Sequence, residues 1–126
     1  QAFALGETAA SGTIDAPSAL LDGSLIQRTV DFASGERSVT HSRTLAHCSG
    51  FSHLELSLET GRTHQIRVHM AYIGHPLLGD TLYNKTPGTF PRQALHSASL
   101  SFIHPITGEP LNFHAPLPED MQNLLT

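Results

Sequence analysis

The strongest pattern in the chain is an alternation of apolar and polar residues near its centre. In residues 53–58 the apolar side chains fall on every second position, at Leu54, Leu56 and Leu58. Successive side chains of a strand point to opposite faces of a sheet, so these leucines would share one face. Glu59-Thr60-Gly61 then interrupts the alternation. The stretch therefore predicts a strand that ends in a turn.

A different period follows and predicts a short helix over residues 64–73. Ile66, Met70 and Ile73 recur at the spacing of one helix face, which we expect to point into a core. Gly74 stands where a glycine commonly ends a helix. A strand followed directly by a helix therefore organises this part of the chain.

Polar residues occupy the start of this helix. Thr63 is expected to cap it through its hydroxyl group, and His64 and Arg67 lie three residues apart on one face. A buried arginine would need a carboxylate partner, and no acidic residue of the chain is obviously placed to provide one. The pattern alone leaves two alternatives open for Arg67: a solvated surface position or a functional one.

Shorter runs on both sides of this stretch predict further strands joined by turns. The strand-like runs are residues 12–17, 38–48, 51–58, 95–104 and 111–114, and a last short helix opens at residues 116–120. Turns are predicted at residues 22–23, 34–36, 49–50 and 105–110, and a polar loop at residues 84–91. Residues 1–11 and most of residues 18–33 show no pattern that assigns an element. The sequence thus predicts one domain, residues 1–126, of class α+β, with a mixed, mainly antiparallel sheet and a few short helices.

Composition limits the class of protein before any motif is considered. Of the 126 residues 39% are hydrophobic and 14% are charged, which is typical of a soluble globular chain. The formal net charge of −4 is unusual for an RNA-binding protein, because phosphate contacts usually need a basic surface. Cys48 is the only cysteine, which excludes an intrachain disulfide and weakly favours a reduced cytoplasmic setting. No apolar run approaches the roughly 20 residues that a transmembrane helix needs, so no membrane partner is predicted.

The chain has nine histidines, which raises the question of a metal site. His64 and His69 are five residues apart, which places them about 140° apart around a helix. Zinc proteases instead need two histidines four residues apart on one face, with a glutamate between them. No metal is therefore predicted, and the histidines are expected to be hydrogen-bonded or solvated. Composition does not exclude a Ser-His-Asp triad, but the sequence has no G-x-S-x-G turn to carry its nucleophile.

Two neighbouring segments carry a resemblance to a known family. Residues 61–69 read Gly-Arg-Thr-His-Gln-Ile-Arg-Val-His, and residues 74–80 read Gly-His-Pro-Leu-Leu-Gly-Asp. Together they resemble motif III of the RluA-type pseudouridine synthases. The resemblance continues upstream at residues 12–17 and downstream at residues 94–98 and His104-Pro105, so that it covers most of the chain.

The resemblance implies an activity and roles for four residues. Synthases of this type flip a uridine out of its stack, detach the uracil from its ribose, turn it and rejoin it through carbon, without cofactor or metal. Arg67 would form an ion pair with the catalytic aspartate of an HRLD-x-x-TSG motif, because the attacking carboxylate must be ionised and oriented. Arg62 and His64 would contact the RNA backbone or hold the loop, and Leu95 would line the base pocket.

The sequence departs from the family pattern in its N-terminal part. The aspartate motif is absent, and the motif whose tyrosine stacks on the base and takes its C5 proton is missing or survives only in degraded form at residues 2–5. We therefore expect residues 1–126 to be the C-terminal portion of a catalytic domain, inactive by itself, whose parent isomerises uridine in ribosomal or transfer RNA. The alternative is a noncatalytic RNA-binding or scaffold module with the synthase fold.

Overall fold

A four-stranded antiparallel sheet forms the centre of the fold in the computed structural model, which describes residues 1–24, 27–62, 64–86, 88, 90–97 and 99–125. Its strands are, in spatial order, β1 (Ala2–Leu5), β6 (Phe51–Leu58), β5 (Val39–His47) and β2 (Ser11–Asp15). Two separate hairpins pair β3 (Ser18–Leu20) with β4 (Arg28–Val30) and β7 (Ser99–Ile103) with β8 (Pro110–His114). The helices are α1 (Gln65–Tyr72), α2 (Glu119–Gln122) and a final 3₁₀ turn, Asn123–Leu125.

This architecture confirms the predicted α+β class with a mainly antiparallel sheet and a few short helices. Every strand pairing among the described residues is antiparallel. None of the helices seen in this part of the chain is long and apolar enough to span a bilayer.

The hairpin of β5 and β6 follows the alternation in the sequence. The chain turns back through Gly50, whose φ of 82° is readily adopted only by a residue without a side chain. Leu54, Leu56 and Leu58 share one face as predicted, but their burial falls along the strand. Leu54 is 1% exposed, whereas Leu58 near the end of the strand is 48% exposed. The apolar face is therefore covered only in its first half.

Strand β1 is one of the elements that the pattern failed to predict. Ala2, Phe3 and Ala4 are all 0% exposed, because the strand is enclosed on both faces and both edges. One edge pairs with β6, with Ala2 opposite Leu54. On the other edge Phe3 donates its N–H to the carbonyl of Ala94, and Leu5 donates to Pro76. A strand buried on all sides shows no alternation of polar and apolar residues.

The core has two parts, which meet at β1. Ala2 and Ala4 point into the first part, whereas Phe3 points into the second. The first part also contains Ile14, Ala16, Leu54, Met70 and Leu77, and the second contains Ala94 and Met121. Helix α1 thus packs into the first part of the core, on one side of β1. Helix α2 packs into the second part, on the other side.

Helix α1 matches the predicted helix in position but not in the face that it buries. Its cap residue is His64, while the predicted cap, Thr63, lies outside the described residues. Gly74 has a φ of 86°, which confirms its place after the helix end. Met70 is 1% exposed as expected, but Ile73 is 41% exposed and the prediction that it faces the core is wrong. Ile73 follows the last helical residue, where the chain has already turned away from the sheet.

Polar residues, rather than a continuous apolar stripe, attach α1 to β5. The Gln65 amide donates to the carbonyl of Val39 and to the Thr40 hydroxyl, at 2.9 and 3.0 Å. His69 is 0% exposed and is bonded on both ring nitrogens, with Nε2 donating to the carbonyl of Ala16 and Nδ1 accepting from Thr40, both at 2.8 Å. Burial lowers the pKa of His69, although the bond to Ala16 partly opposes this shift. The interface therefore needs a neutral imidazole.

The remaining predicted strands and the last helix are confirmed, with shifted boundaries. Strand β7 begins at Ser99 instead of residue 95, and β8 returns as its partner. Helix α2 begins with Glu119 and Asp120 in its first turn, where the helix dipole favours negative charge. The unassigned region around residues 18–33 contains the β3–β4 hairpin, whose strands are too short to show a period.

We expect the free energy of unfolding to fall as the pH drops below about 6.5. The pKa of His69 is lower in the folded protein than in the unfolded chain, so the unfolded chain takes up its proton first and is favoured by acid. This contribution is fully present above the unfolded pKa and is lost as the pH falls toward the folded one. Urea unfolding at a series of pH values measures it.

The matched variant is His69→Gln, whose amide can bond both Ala16 and Thr40 but cannot be protonated. Its stability should depend less on pH in this window than that of the wild type. His114→Gln, at an exposed position, should keep the wild-type slope. An unchanged slope in His69→Gln would contradict the role given to this histidine.

Candidate active site

Arg67 and Asp80 form a two-bonded ion pair beside helix α1. Nε of Arg67 donates to Oδ2 of Asp80 at 2.9 Å, and Nη2 donates to Oδ1 at 2.8 Å. The arginine side chain is 14% exposed and the aspartate side chain 0%. The expectation that no acidic residue is placed for Arg67 is therefore wrong. The partner was missed because it lies 13 residues further along the chain, beyond the reach of any helical spacing.

The turn after α1 fixes Asp80 in this position. Oδ1 of Asp80 also accepts the N–H groups of Leu82 and Tyr83, at 3.1 and 3.2 Å. Gly79 has a φ of 72°, and a Cβ atom there would lie 1.8 Å from the carbonyl oxygen of Arg92, so that only glycine fits. The Gly-Asp pair at the end of the second motif segment is thus a turn that presents a carboxylate to the helix.

The electrostatics of the pair favour both charged forms. Burial by itself would raise the pKa of Asp80, but the bonds and charge of Arg67, together with the N–H groups of Tyr83 and Leu82, hold it below its usual range. The hydrogen bonds to Asp80 raise the pKa of Arg67 further. The pair is therefore ionised and geometrically fixed.

Tyr83 connects this ion pair with the start of the helix. Its ring centroid lies 5.1 Å from the Arg67 guanidinium carbon, a cation–π contact. Its hydroxyl group accepts the backbone N–H of Arg28 and donates to Nδ1 of His64, both at 2.8 Å. Burial raises the pKa of Tyr83. Tyr83 was not predicted as a site residue, because its only signal in the sequence is its place three residues after Asp80.

His64 and Arg67 both contact Tyr83, although His64 precedes helix α1 and does not share its face with Arg67 as predicted. Its backbone has a φ of 55°, a left-handed conformation that is uncommon for a residue with a side chain. Burial and then the charge of Arg67 lower the pKa of its imidazole, which Asp80 partly opposes. The ring is therefore held neutral, with Nδ1 as the acceptor.

Arg62 and Leu95 are not joined to Arg67 by any contact among the described residues. Nε of Arg62 donates to the carbonyl of Arg37 at 3.0 Å, and its Nη1 lies 3.3 Å from Glu36. Leu95 is partly buried against the first core and pairs with Ala2. The roles expected for these two residues stay predictions.

Metal ligands are not gathered anywhere in the described part of the chain. No group of three or more His, Cys, Asp and Glu side chains there is arranged to hold an ion. His64 and His69 are instead bonded to hydroxyl or carbonyl groups.

Asp80→Asn is expected to lower the free energy of unfolding by about 3 kcal/mol, because it leaves the poorly exposed Arg67 guanidinium without its counter-charge. Urea unfolding of Asp80→Asn, Arg67→Gln and the double variant measures the coupling. The double variant should lose less stability than the sum of the single ones.

The exposed pair of Arg43 and Glu55 is the control, with side chains 63% and 50% exposed. Neutralising one of its members should cost between about 0 and 1 kcal/mol. Additive losses at Arg67 and Asp80 would show that the two-bonded pair contributes nothing specific.

The chain is similar to proteins of one named class. Residues 4–72 match the family model of RNA pseudouridylate synthase. The uncharacterized RNA pseudouridine synthase YjbO of Bacillus subtilis (strain 168) is 54% identical over 90% of this chain and 40% of that protein. Ribosomal large subunit pseudouridine synthase D of Vibrio cholerae is 46% identical over 96% of this chain, and that of Escherichia coli (strain K12) is 41% identical over 99%. The chain spans about 40% of the length of these relatives.

Solved structures agree with this similarity. Human RNA pseudouridylate synthase domain containing 1 superposes with a TM-score of 0.79 at 26% identity, over 91% of this chain and 52% of that one. Human RNA pseudouridylate synthase domain containing 4 has a TM-score of 0.74 at 21% identity, over 98% of this chain and 59% of that one. This similarity shows a shared fold. The matches confirm the family predicted from the two motif segments. The chain belongs to the RNA pseudouridylate synthase family.

Proposed function

We propose that this chain is the C-terminal portion of a catalytic domain that isomerises uridine to pseudouridine in RNA. The observation that carries the proposal is the fixed guanidinium of Arg67. The curated relatives named for the ribosomal large subunit favour ribosomal over transfer RNA as the substrate. A cytoplasmic location, where such RNA is found, is part of the same proposal.

The bonds to Asp80 do not use all the N–H groups of Arg67. A guanidinium carries five N–H groups in a planar fork, and Asp80 takes two of them through Nε and Nη2. Within the described residues Nη1 has no partner. The side chain is also 14% exposed, so this edge can be reached from outside. Arg67 can therefore hold a second carboxylate while its two bonds to Asp80 keep the guanidinium plane fixed.

Asp80 itself is not suited to attack a nucleotide. Its side chain is 0% exposed and accepts four hydrogen bonds, two from Arg67 and two from backbone N–H groups. A nucleophile needs a free lone pair and a path to the ribose or base. We assign Asp80 a positioning role, and the attacking aspartate is to be supplied by a segment outside these 126 residues.

Of the other aspartates, Asp31 accepts bonds from Ala33 and Ser34 in its own turn, and Asp120 pairs with Arg92. These two carboxylates are therefore already engaged within the chain, which supports the proposal that neither of them attacks the uridine. With an external aspartate in place, Arg67 would lower the pKa of that carboxyl group and orient it toward the flipped uridine. No cofactor or metal takes part in this scheme.

The remaining candidate residues fit supporting roles in RNA binding. Among the described residues, the side chain of Arg62 makes an exposed ion pair with Glu36 and one hydrogen bond to a backbone carbonyl. An RNA phosphate can replace the ion pair at small cost. His64 is held neutral, so that it would contact RNA by a hydrogen bond. Leu95 is partly buried and would offer an apolar surface to the base.

Tritium release from RNA labelled at uridine C5 is the direct test. The chain of 126 residues should release none, whereas the full-length protein that contains it should release tritium from ribosomal RNA. The physical reason is that the attacking aspartate is supplied from outside these residues. Release by the 126 residues alone would contradict the proposed division of the site, and no release by either protein would favour a noncatalytic RNA-binding module.

In the full-length protein, Arg67→Ala should lower turnover by about a hundredfold or more while RNA affinity stays close to that of the wild type. Arg67→Lys should be nearly as inactive, because an ammonium cannot form the same planar contacts with two carboxylates. Arg43→Gln removes an exposed arginine and should keep wild-type turnover. Normal turnover of a correctly folded Arg67→Ala would refute the role of Arg67.

A further inference from the structure

Most cations of this chain are already neutralised by the fold. Seven residues are lysine or arginine, and the structure describes all of them. Five form ion pairs at 2.8 to 3.6 Å: Arg37 with Glu59, Arg43 with Glu55, Arg62 with Glu36, Arg67 with Asp80 and Arg92 with Asp120. Arg28 and Lys85 have no carboxylate partner among the described residues. An external anion can therefore bind these two cations without displacing a carboxylate of the protein.

Arg28 and Lys85 line the same groove. The groove has a volume of about 490 Å³ and lies between strand β4, helix α1 and residues 81–85. No aspartate or glutamate is among its lining residues. In a chain whose net charge is −4, two unpaired cations thus share one concave surface that has no acidic side chain.

Arg28 has a donor that the protein leaves unused. Its Nε is buried, and it has no hydrogen-bond partner in the described part of the chain. A buried donor without a partner costs stability, so such atoms are rare, and water or an ion commonly satisfies them. The backbone N–H of the same residue is held by the Tyr83 hydroxyl group, which fixes where the side chain starts.

Aromatic rings also lie in and next to this groove. Tyr72 lines the groove and is 54% exposed. Phe32 is 69% exposed, with its ring centroid 6.4 Å from that of Tyr72. Surfaces that bind single-stranded nucleic acid commonly combine cations along the sugar-phosphate backbone with exposed rings on which bases stack. An acidic peptide would use the cations but not the rings.

We propose that this groove binds a phosphodiester of single-stranded RNA, in a nucleotide that flanks the target uridine. Arg28 and Lys85 contact the non-bridging oxygens, and the flanking base stacks on Tyr72. The inference rests on the proposed synthase function. Tyr83 supports the link, because it lines the groove and its ring also contacts Arg67. One RNA strand can therefore occupy the groove and the Arg67 site together.

The test measures binding of a short fluorescein-labelled single-stranded RNA to the full-length protein by anisotropy, over a range of salt concentrations. Arg28→Gln with Lys85→Gln should weaken binding by roughly tenfold for every sequence tried. The slope of log K against log salt should fall by about 0.7 for each phosphate that the variant no longer neutralises. The matched control is Arg37→Gln with Arg43→Gln, which also removes two charges but at exposed, paired positions.

Each outcome decides the proposal. Unchanged affinity and slope in the Arg28 and Lys85 variants would overturn it, as would an equal loss in the Arg37 and Arg43 control. A lower melting temperature of Arg28→Gln without any loss of RNA affinity would also overturn it, because Arg28 would then have a structural role and no role in RNA binding. Lys85 is exposed, so Lys85→Gln gives a result even if Arg28→Gln does not fold. Tritium release by the wild type tests the synthase function separately, because the anisotropy signal needs no turnover.

Discussion

The two-bonded contact between Arg67 and Asp80 is the interaction on which the arrangement of the site depends. It joins helix α1 to the turn that follows it, and the same aspartate oxygen orders the backbone of Leu82 and Tyr83. Through Tyr83 the contact extends to His64 and to the backbone of Arg28 in strand β4. A single charge pair thus sets the relative positions of three separate chain segments.

A second set of polar contacts fixes the position of helix α1 on the sheet. Gln65 and His69 bond to Val39, Thr40 and Ala16 in a region closed to water. Buried polar groups contribute less free energy than apolar packing would, but they are satisfied in only one register. We infer that these hydrogen bonds allow only one position of the helix on the sheet. This position keeps Arg67 at a fixed distance from the turn.

The sequence predicted the elements that show a period or a turn signal and missed those that show neither. The β5–β6 hairpin and the glycine after α1 follow local rules of period and turn geometry, and both are confirmed. Strand β1 has no exposed face and therefore shows no period. Ile73 lies where the helix has already ended, so its helical spacing led to a wrong prediction. The pairing of Arg67 with Asp80 depends on the close approach of Gly79 to Arg92, a contact between distant segments that no local pattern encodes.

The position of β1 has a consequence for how the chain reaches this structure. Its N–H and C=O groups bond to β6 on one side and to residues 76–78 and 94–96 on the other, and Gln1 meets His96 across a separation of 95 residues. This strand precedes all of its partners along the chain, so it cannot be completed until residues far downstream have been placed. Folding of a sheet closed by such distant contacts is slow, because the entropy of a long loop is lost before the pairing forms. Strand β1 therefore acts as the closing strand of the fold and not as its nucleus.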